Sequence, residues 1–416
     1  MKFDWQRIGV IILFIASIFL FGFFIYWFFW RPLIGPSTTA TPTVTSTIGG
    51  LTGAGSAGSR TTTASIIGGL TGAGVGNIPT DLNPSPGTSP SKGIDANLLI
   101  NNPANFASMS KSGQLCYYNP NDGKLYKVDA AGNNQVIVDK TFYNLSNATF
   151  DSSCAKVILN YPDGSNIVYD LSNNKQYTLP AHWQNFSFSD TGNQIAFKNI
   201  GLDVENRFLV AANYDGTQAK IIEQLGENAY KVNTNWSPNN QVVATYVEGL
   251  DASRSQVYFI GQNNENFKSM IVEGRDFKGI WSPSGNRMLY SVYDPNNNYK
   301  PALWISDAYG ETTGSNRQKI ALETWADKCT FASNNFALCI VPQSMPNGAG
   351  LDRNNLMSGI ADSVYAVNLI NGTTALVATP NNITNISSLY FSTNSPNDVF
   401  LISKDNGYVY KINIQQ

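Results

Sequence analysis

A unit that returns seven times between residues 94 and 416 constrains this chain more than any other feature. Each copy is a short strand ending in a large, mostly aromatic residue, then a turn of Ser, Asp or Pro with Gly or Asn, then an apolar strand. The copies are anchored on Met109, Phe150, Phe188, Trp236, Trp281, Phe331 and Phe391. Successive anchors lie 41, 38, 48, 45, 50 and 60 residues apart. A period of about 40–50 residues suits one four-stranded unit of a radial repeat. Further turns follow inside the copies, among them Asn121-Asp122-Gly123, Pro162-Asp163-Gly164 and Asp405-Asn406-Gly407. Asp-Gly and Asn-Gly favour type I′ hairpins, whose two central residues need positive φ. A third turn, as at Asp215-Gly216 or Asn371-Gly372, precedes a fourth strand. Four short strands per unit, without helical periodicity, predict an all-β fold, a seven-bladed β-propeller over 94–416. The last copy runs out after its third strand. The apolar segment 96–101, ahead of the first copy, is therefore expected to form the outer strand of the final blade and so remove an exposed edge.

The pattern of Trp236-Ser237-Pro238-Asn239 and of Trp281-Ser282-Pro283-Ser284-Gly285 resembles the PD40/TolB-like repeat of bacterial β-propellers. Those two copies match well and the other five loosely, across 94–416. The resemblance implies the propeller fold and a place in the bacterial envelope. The periplasmic TolB protein carries an additional α/β domain and binds envelope partners. This sequence has a membrane anchor in that place, so the resemblance implies a membrane-anchored variant of the family.

That anchor is read from residues 8–30, a run of 23 without a charge. As a helix it spans about 34 Å, enough to cross a bilayer core. It is longer than the roughly 7–15 residues of a signal-peptide core, and no small-residue cleavage site follows it. It ends in Tyr26, Trp27, Phe28, Phe29 and Trp30, which suits an interfacial aromatic belt. No cysteine lies nearby for lipid attachment. Lys2 and Arg7 precede the run, and after Arg31 the next basic residue is Arg60. This bias predicts residues 1–7 in the cytoplasm, 8–30 as a signal-anchor through the cytoplasmic membrane, and the rest outside. Residues 31–93 are rich in Thr, Ser, Gly and Pro, and IGGLTGAG occurs twice within them. The bland reading is slippage in a low-complexity linker. A coil of that length has a root-mean-square span of roughly 40–45 Å.

The four cysteines divide into two candidate disulfides. Cys329 and Cys339 flank the first turn of the sixth copy, with Asn334 at its centre. They should face each other across an antiparallel pair, at a separation a disulfide accepts. Cys116 and Cys154 lie in neighbouring copies, where a bridge would staple two blades. The alternative is buried free thiols. Two bridges would suit an oxidising compartment.

Chemistry is conspicuous by what is missing from the sequence. Net charge is −2 and charged residues make up 13%, about half the usual share. The basic residues are scattered, so no nucleic acid groove is expected. One histidine, His182, and no C-x-x-C or H-E-x-x-H leave no metal motif. No G-x-S-x-G serine motif occurs in the folded region. Ser189-Asp190-Thr191-Gly192 has the turn chemistry of a sialidase box, but no Thr-Trp follows. The Asp-Asn-Gly turns lack the alternating ligands of a calcium loop. No cofactor and no catalytic residue are assigned.

Two insertions exceed what a blade needs. Segments 294–301 and 307–316 decorate the fifth copy, and 342–362 lengthens the sixth. Long loops on a rigid scaffold are where binding usually resides. Tyr299, Trp304, Trp325 and Arg353 are the candidate partner-binding residues, and Trp304 has a second reading as a core aromatic. The expectation for function is a non-enzymatic protein-binding or scaffold module of the cell envelope. Its partner would be an envelope protein or glycan, with the lipid bilayer engaged through 8–30. The alternative is a hydrolase or lyase with its site in the central propeller channel.

Overall fold

The second strand of each repeat is apolar at successive positions, and its two faces serve two different cores. In Lys156–Asn160, Val157 and Leu159 pack with Cys116, Tyr118 and Leu125 of the preceding repeat. Ile158, between them, packs with Ile195, Phe197 and Val210 of the following repeat. Successive side chains of a strand point to opposite faces, so a strand sandwiched between two sheets must be apolar on both. Seven such clusters occur among the described residues, each shared by two neighbouring sheets. Each fully buried Leu, Ile, Val or Phe contributes about 1.5–3 kcal/mol. Outer strands such as Asn134–Val136 are exposed along their length and contribute little of this.

The computed structural model describes residues 93–414. The segments read as 1–7 and 8–30, and all of 31–93 but its last residue, lie outside the described residues. Among the described residues, no helix is long and apolar enough to cross a membrane. Seven antiparallel four-stranded sheets form the blades of an all-β propeller. Blades 1 to 6 occupy residues 105–136, 147–179, 183–224, 232–272, 275–320 and 329–378, each in simple strand order from the inside outward. Blade 7 takes its three inner strands from 386–413. We call the side on which inner strands begin the upper face. Antiparallel order then puts the connections between second and third strands on the upper face, and those between first and second on the lower.

The lower turns explain the repeat. Ser282 O accepts from Gly285 N at 2.8 Å, and Ser282 Oγ accepts from Arg287 N at 3.1 Å. Ser237, Ser189 and Ser110 repeat this arrangement, and Asp151 does so with a carboxylate. These side chains are almost wholly buried. A hydroxyl or carboxylate is needed there because the buried N–H would otherwise lack a partner. The fourth turn residue is left-handed, which Gly285 at φ 71° and Asn240 at φ 59° tolerate.

The upper Asp-Gly turns differ from the type I′ expectation. Gly123 and Gly164 have φ of 69° and 86°, but the residues before them are not left-handed. Gly123 N bonds Asn119 O at 2.9 Å and Gly164 N bonds Tyr161 O at 3.0 Å. With three or four residues to span, the chain uses a right-handed turn that ends on one left-handed glycine.

The ring closes by strand exchange. Asn97–Ile100 pairs antiparallel with Val409–Asn413 and is the outer strand of blade 7. Asn382 clamps the approach, its side-chain amide accepting from Ala96 N and donating to Ala96 O, both at 2.8 Å. Inside, Tyr390 Oη donates to Ala107 O at 2.8 Å, joining blade 7 to blade 1. Both disulfides are present. Cys329 and Cys339 are direct cross-strand partners, 4.1 Å apart at Cα. Cys116 and Cys154 join the second strand of blade 1 to the lower turn of blade 2. Cys154 occupies the left-handed position that Gly285 fills in blade 5, at φ 55°.

Candidate binding face

The upper face is where the blades stop repeating. The blade 5 connection 294–301 and the blade 6 connection 342–362 lie against each other. Asn298 O accepts from Gly348 N at 2.8 Å, and Tyr299 O accepts from Gly350 N at 2.7 Å. Asn298 and Tyr299 are both left-handed, at φ 51° and 55°. A Cβ on Gly350 would lie 2.6 Å from the Tyr293 ring, so only glycine permits this approach. Tyr299 is partly exposed, with its ring 6.3 Å from that of Tyr293.

Trp325 lies beneath this crossing. It is 2% exposed and packs with Ala349, Met357, Met345 and Ile360 of the blade 6 connection. The Arg353 guanidinium covers its ring at 4.4 Å and reaches the Asp327 carboxylate at 2.6 and 2.9 Å. Tyr299, Trp325 and Arg353 thus come together in one assembly. Trp304 does not join them. It lies on the third strand of blade 5, with its ring parallel to Tyr290 at 6.5 Å, in the core shared with blade 4. Arg317 and Lys319 lie 5.5 and 5.9 Å from its ring. Segment 307–316 leaves the far end of the same strand, so the two blade 5 insertions open on opposite faces.

A buried ion pair lies at the upper end of blade 6, and its carboxylate reaches blade 7. Lys328 Nζ and Asp362 Oδ1 are 3.2 Å apart, with side chains 5% and 2% exposed. Asp362 Oδ2 also accepts from Ile386 N at 2.7 Å. Burial holds the Lys328 amine below its ordinary value and the Asp362 carboxyl above its own, each being opposed by the charge of the other.

Beside this assembly a cavity of about 540 Å³ opens at the upper ends of the inner strands of blades 4 and 5. Its walls include Lys198, Lys231, Asn233, Asn235, Lys278 and Asp327. Asp327 is therefore shared, because the carboxylate that holds Arg353 also lines the cavity. Lys278 pairs with Asp276 at 3.3 Å and Lys231 with Glu248 at 3.8 Å. Lys198 has no carboxylate partner among the described residues. Its amine donates to Ala229 O at 3.1 Å and to Val232 O at 2.9 Å, and burial lowers its pKa. None of these wall residues was singled out in the sequence. They come from four blades, and no local pattern links them. Among the described residues, no group of three His, Cys, Asp or Glu side chains converges as a metal site.

No protein-family model matches this chain, and no curated protein matches it. Solved structures match its fold. Hydrazine synthase of Kuenenia stuttgartiensis aligns with a TM-score of 0.50 at 12% identity, over 79% of this chain and 99% of that one. The tricorn protease aligns at 0.49 and 11%, over 79% of this chain. The match spans only 34% of the tricorn chain. An oligogalacturonate lyase in complex with manganese aligns at 0.47 and 11%, over 76% and 90% of the two chains. Identities this low establish the propeller fold alone.

Proposed function

We propose that this chain is a membrane-anchored, extracytoplasmic propeller that acts as a non-enzymatic binding module of the cell envelope. Residues 8–30 would engage the lipid bilayer with 1–7 inside, and 31–93 would hold the propeller away from the surface. The resemblance of its repeat to that of the PD40/TolB-like propellers supports this reading. Two disulfides favour an oxidising compartment. The observation that carries the binding reading is the upper face. There, two inserted connections interlock, and Asp327, which holds Arg353 of one of them, also lines an open cavity. Elaboration confined to loops on a rigid scaffold is the usual form of a recognition surface. The partner would be an envelope protein or glycan, and no nucleic acid is implied.

A hydrolase or lyase with its site in the central propeller channel is the second reading. The half-buried Lys198 amine on the cavity wall is the observation in its favour. Proximity crosslinking of the full chain in intact cells of its producer, read by mass spectrometry, separates the two. Reproducible capture of one identified envelope component supports the binding module. Turnover of a defined substrate that Lys198→Met abolishes would overturn it in favour of the enzyme.

A further inference from the structure

The cavity on the upper face has a composition that selects among ligands. Its walls carry three cations, Lys198, Lys231 and Lys278, and Arg353 stands behind Asp327. Against them stand three carboxylates, Asp276, Asp327 and Glu248. Each carboxylate already has a basic partner within 4 Å. Lys198 is the remaining charge. An ammonium has three donors, and protein carbonyls take two of them. A half-buried cation without a counter-ion is costly unless a ligand supplies one.

The other walls are neutral, with polar and aromatic side chains beside the aliphatic Val232 and Val247. Tyr230 stands at the rim, 79% exposed, and Phe277 lies on the wall of blade 5. Asn233, Asn235 and Thr245 add amides and a hydroxyl. A sugar ring presents a face of C–H groups that packs on an aromatic ring. Its rim of hydroxyls exchanges hydrogen bonds with amides. The volume lies within the roughly 300–1,000 Å³ of small-ligand pockets.

A peptide would most simply bind by adding a strand to an inner edge. In blade 4 that edge is closed. Thr234 N donates to Asn185 Oδ1 at 2.8 Å and Trp236 N donates to Ser187 Oγ at 3.0 Å. Both acceptors come from the inner strand of blade 3, so two of the N–H groups that would meet a peptide are already satisfied. Recognition is left to side chains.

We propose that this cavity binds an acidic oligosaccharide, with a sugar carboxylate on the Lys198 ammonium and a ring against Tyr230 or Phe277. The proposal rests on the binding-module reading and names its ligand class. Calorimetric titration of the detergent-solubilised full chain tests it. The probes are hexuronate trisaccharides, their carboxyl-reduced counterparts and an aspartate hexapeptide. The trisaccharide should bind, and reducing its carboxyls should weaken binding about 10- to 100-fold. Lys198→Met should weaken the acidic sugar by a similar factor and leave the reduced sugar unchanged. Lys268→Met, at an exposed lysine outside the cavity, should change neither. Equal binding of acidic and reduced sugars overturns the proposal without relying on any variant. Preference for the hexapeptide overturns it in favour of an acidic peptide. If no sugar binds while the chain still captures its partner in cells, the ligand class falls and the binding module stands. If capture fails as well, both fall.

Discussion

The lower turns between first and second strands and the upper connections between second and third are built by the same strands, yet only those lower turns repeat. In blades 1 to 5 they reuse one device, a buried Ser or Asp that accepts from the chain a few residues on. The upper connections range from 120–123 in blade 1 to 343–361 in blade 6. The difference is physical. A lower turn is sealed by a buried hydrogen bond and a left-handed residue, so few sequences fit it. An upper connection needs only to rejoin two strand ends, and its length is nearly free. Constraint on these turns and freedom in the connections separate the part that specifies the fold from the part available for recognition.

The contrast can be broken first at the one place where the upper face carries a large stability term. Lys328→Met leaves Asp362 buried without its cation and should cost about 3–5 kcal/mol in chemical unfolding of the full chain. The double variant Lys328→Met/Asp362→Leu should recover only part of it, because the Ile386 N–H then loses its acceptor. Equal losses in the single and double variants would assign the effect to packing. Next come the disulfides. Replacing Cys116 and Cys154 by Ala opens a loop of 38 residues, for which chain entropy gives a loss of about 4 kcal/mol. Replacing Cys329 and Cys339, with a separation of 10, should cost only about 2.5–3 kcal/mol. On the lower face, Ser282→Ala orphans the Arg287 N–H and should cost about 1–3 kcal/mol, with partner capture intact. The smallest effect on stability belongs to Arg353→Ala on the upper face. A partly exposed ion pair is worth about 1 kcal/mol or less, so unfolding should barely move while capture in cells falls.

The same contrast sets what could be read in the sequence. Trp236 and Trp281 announce the repeat because their turns admit few alternatives. The closing strand within 96–101 and the Cys329–Cys339 register follow from counting strands. Turn type was less legible. An Asp-Gly pair predicts a left-handed glycine, but connection length decides what precedes it, as Gly123 and Gly164 show. Tyr299 and Arg353 were found as residues of long insertions. Trp325 lies in the connection ahead of blade 6, and the 342–362 insertion packs over it and buries it. The cavity was not legible. Lys198, Asn235 and Lys278 come from blades 3 to 5 and Asp327 from the connection ahead of blade 6, and only ring geometry brings them to one cavity.

The most direct measurement of the account compares the two faces in place. A photo-crosslinking amino acid would be installed singly at Tyr230 and Tyr299 above, and at Thr191 and Thr393 below, in the full chain in its native producer. The account predicts that one identified envelope component is captured from the upper positions and not from the lower ones. Capture from Thr191 or Thr393, with none from Tyr230 or Tyr299, would contradict it.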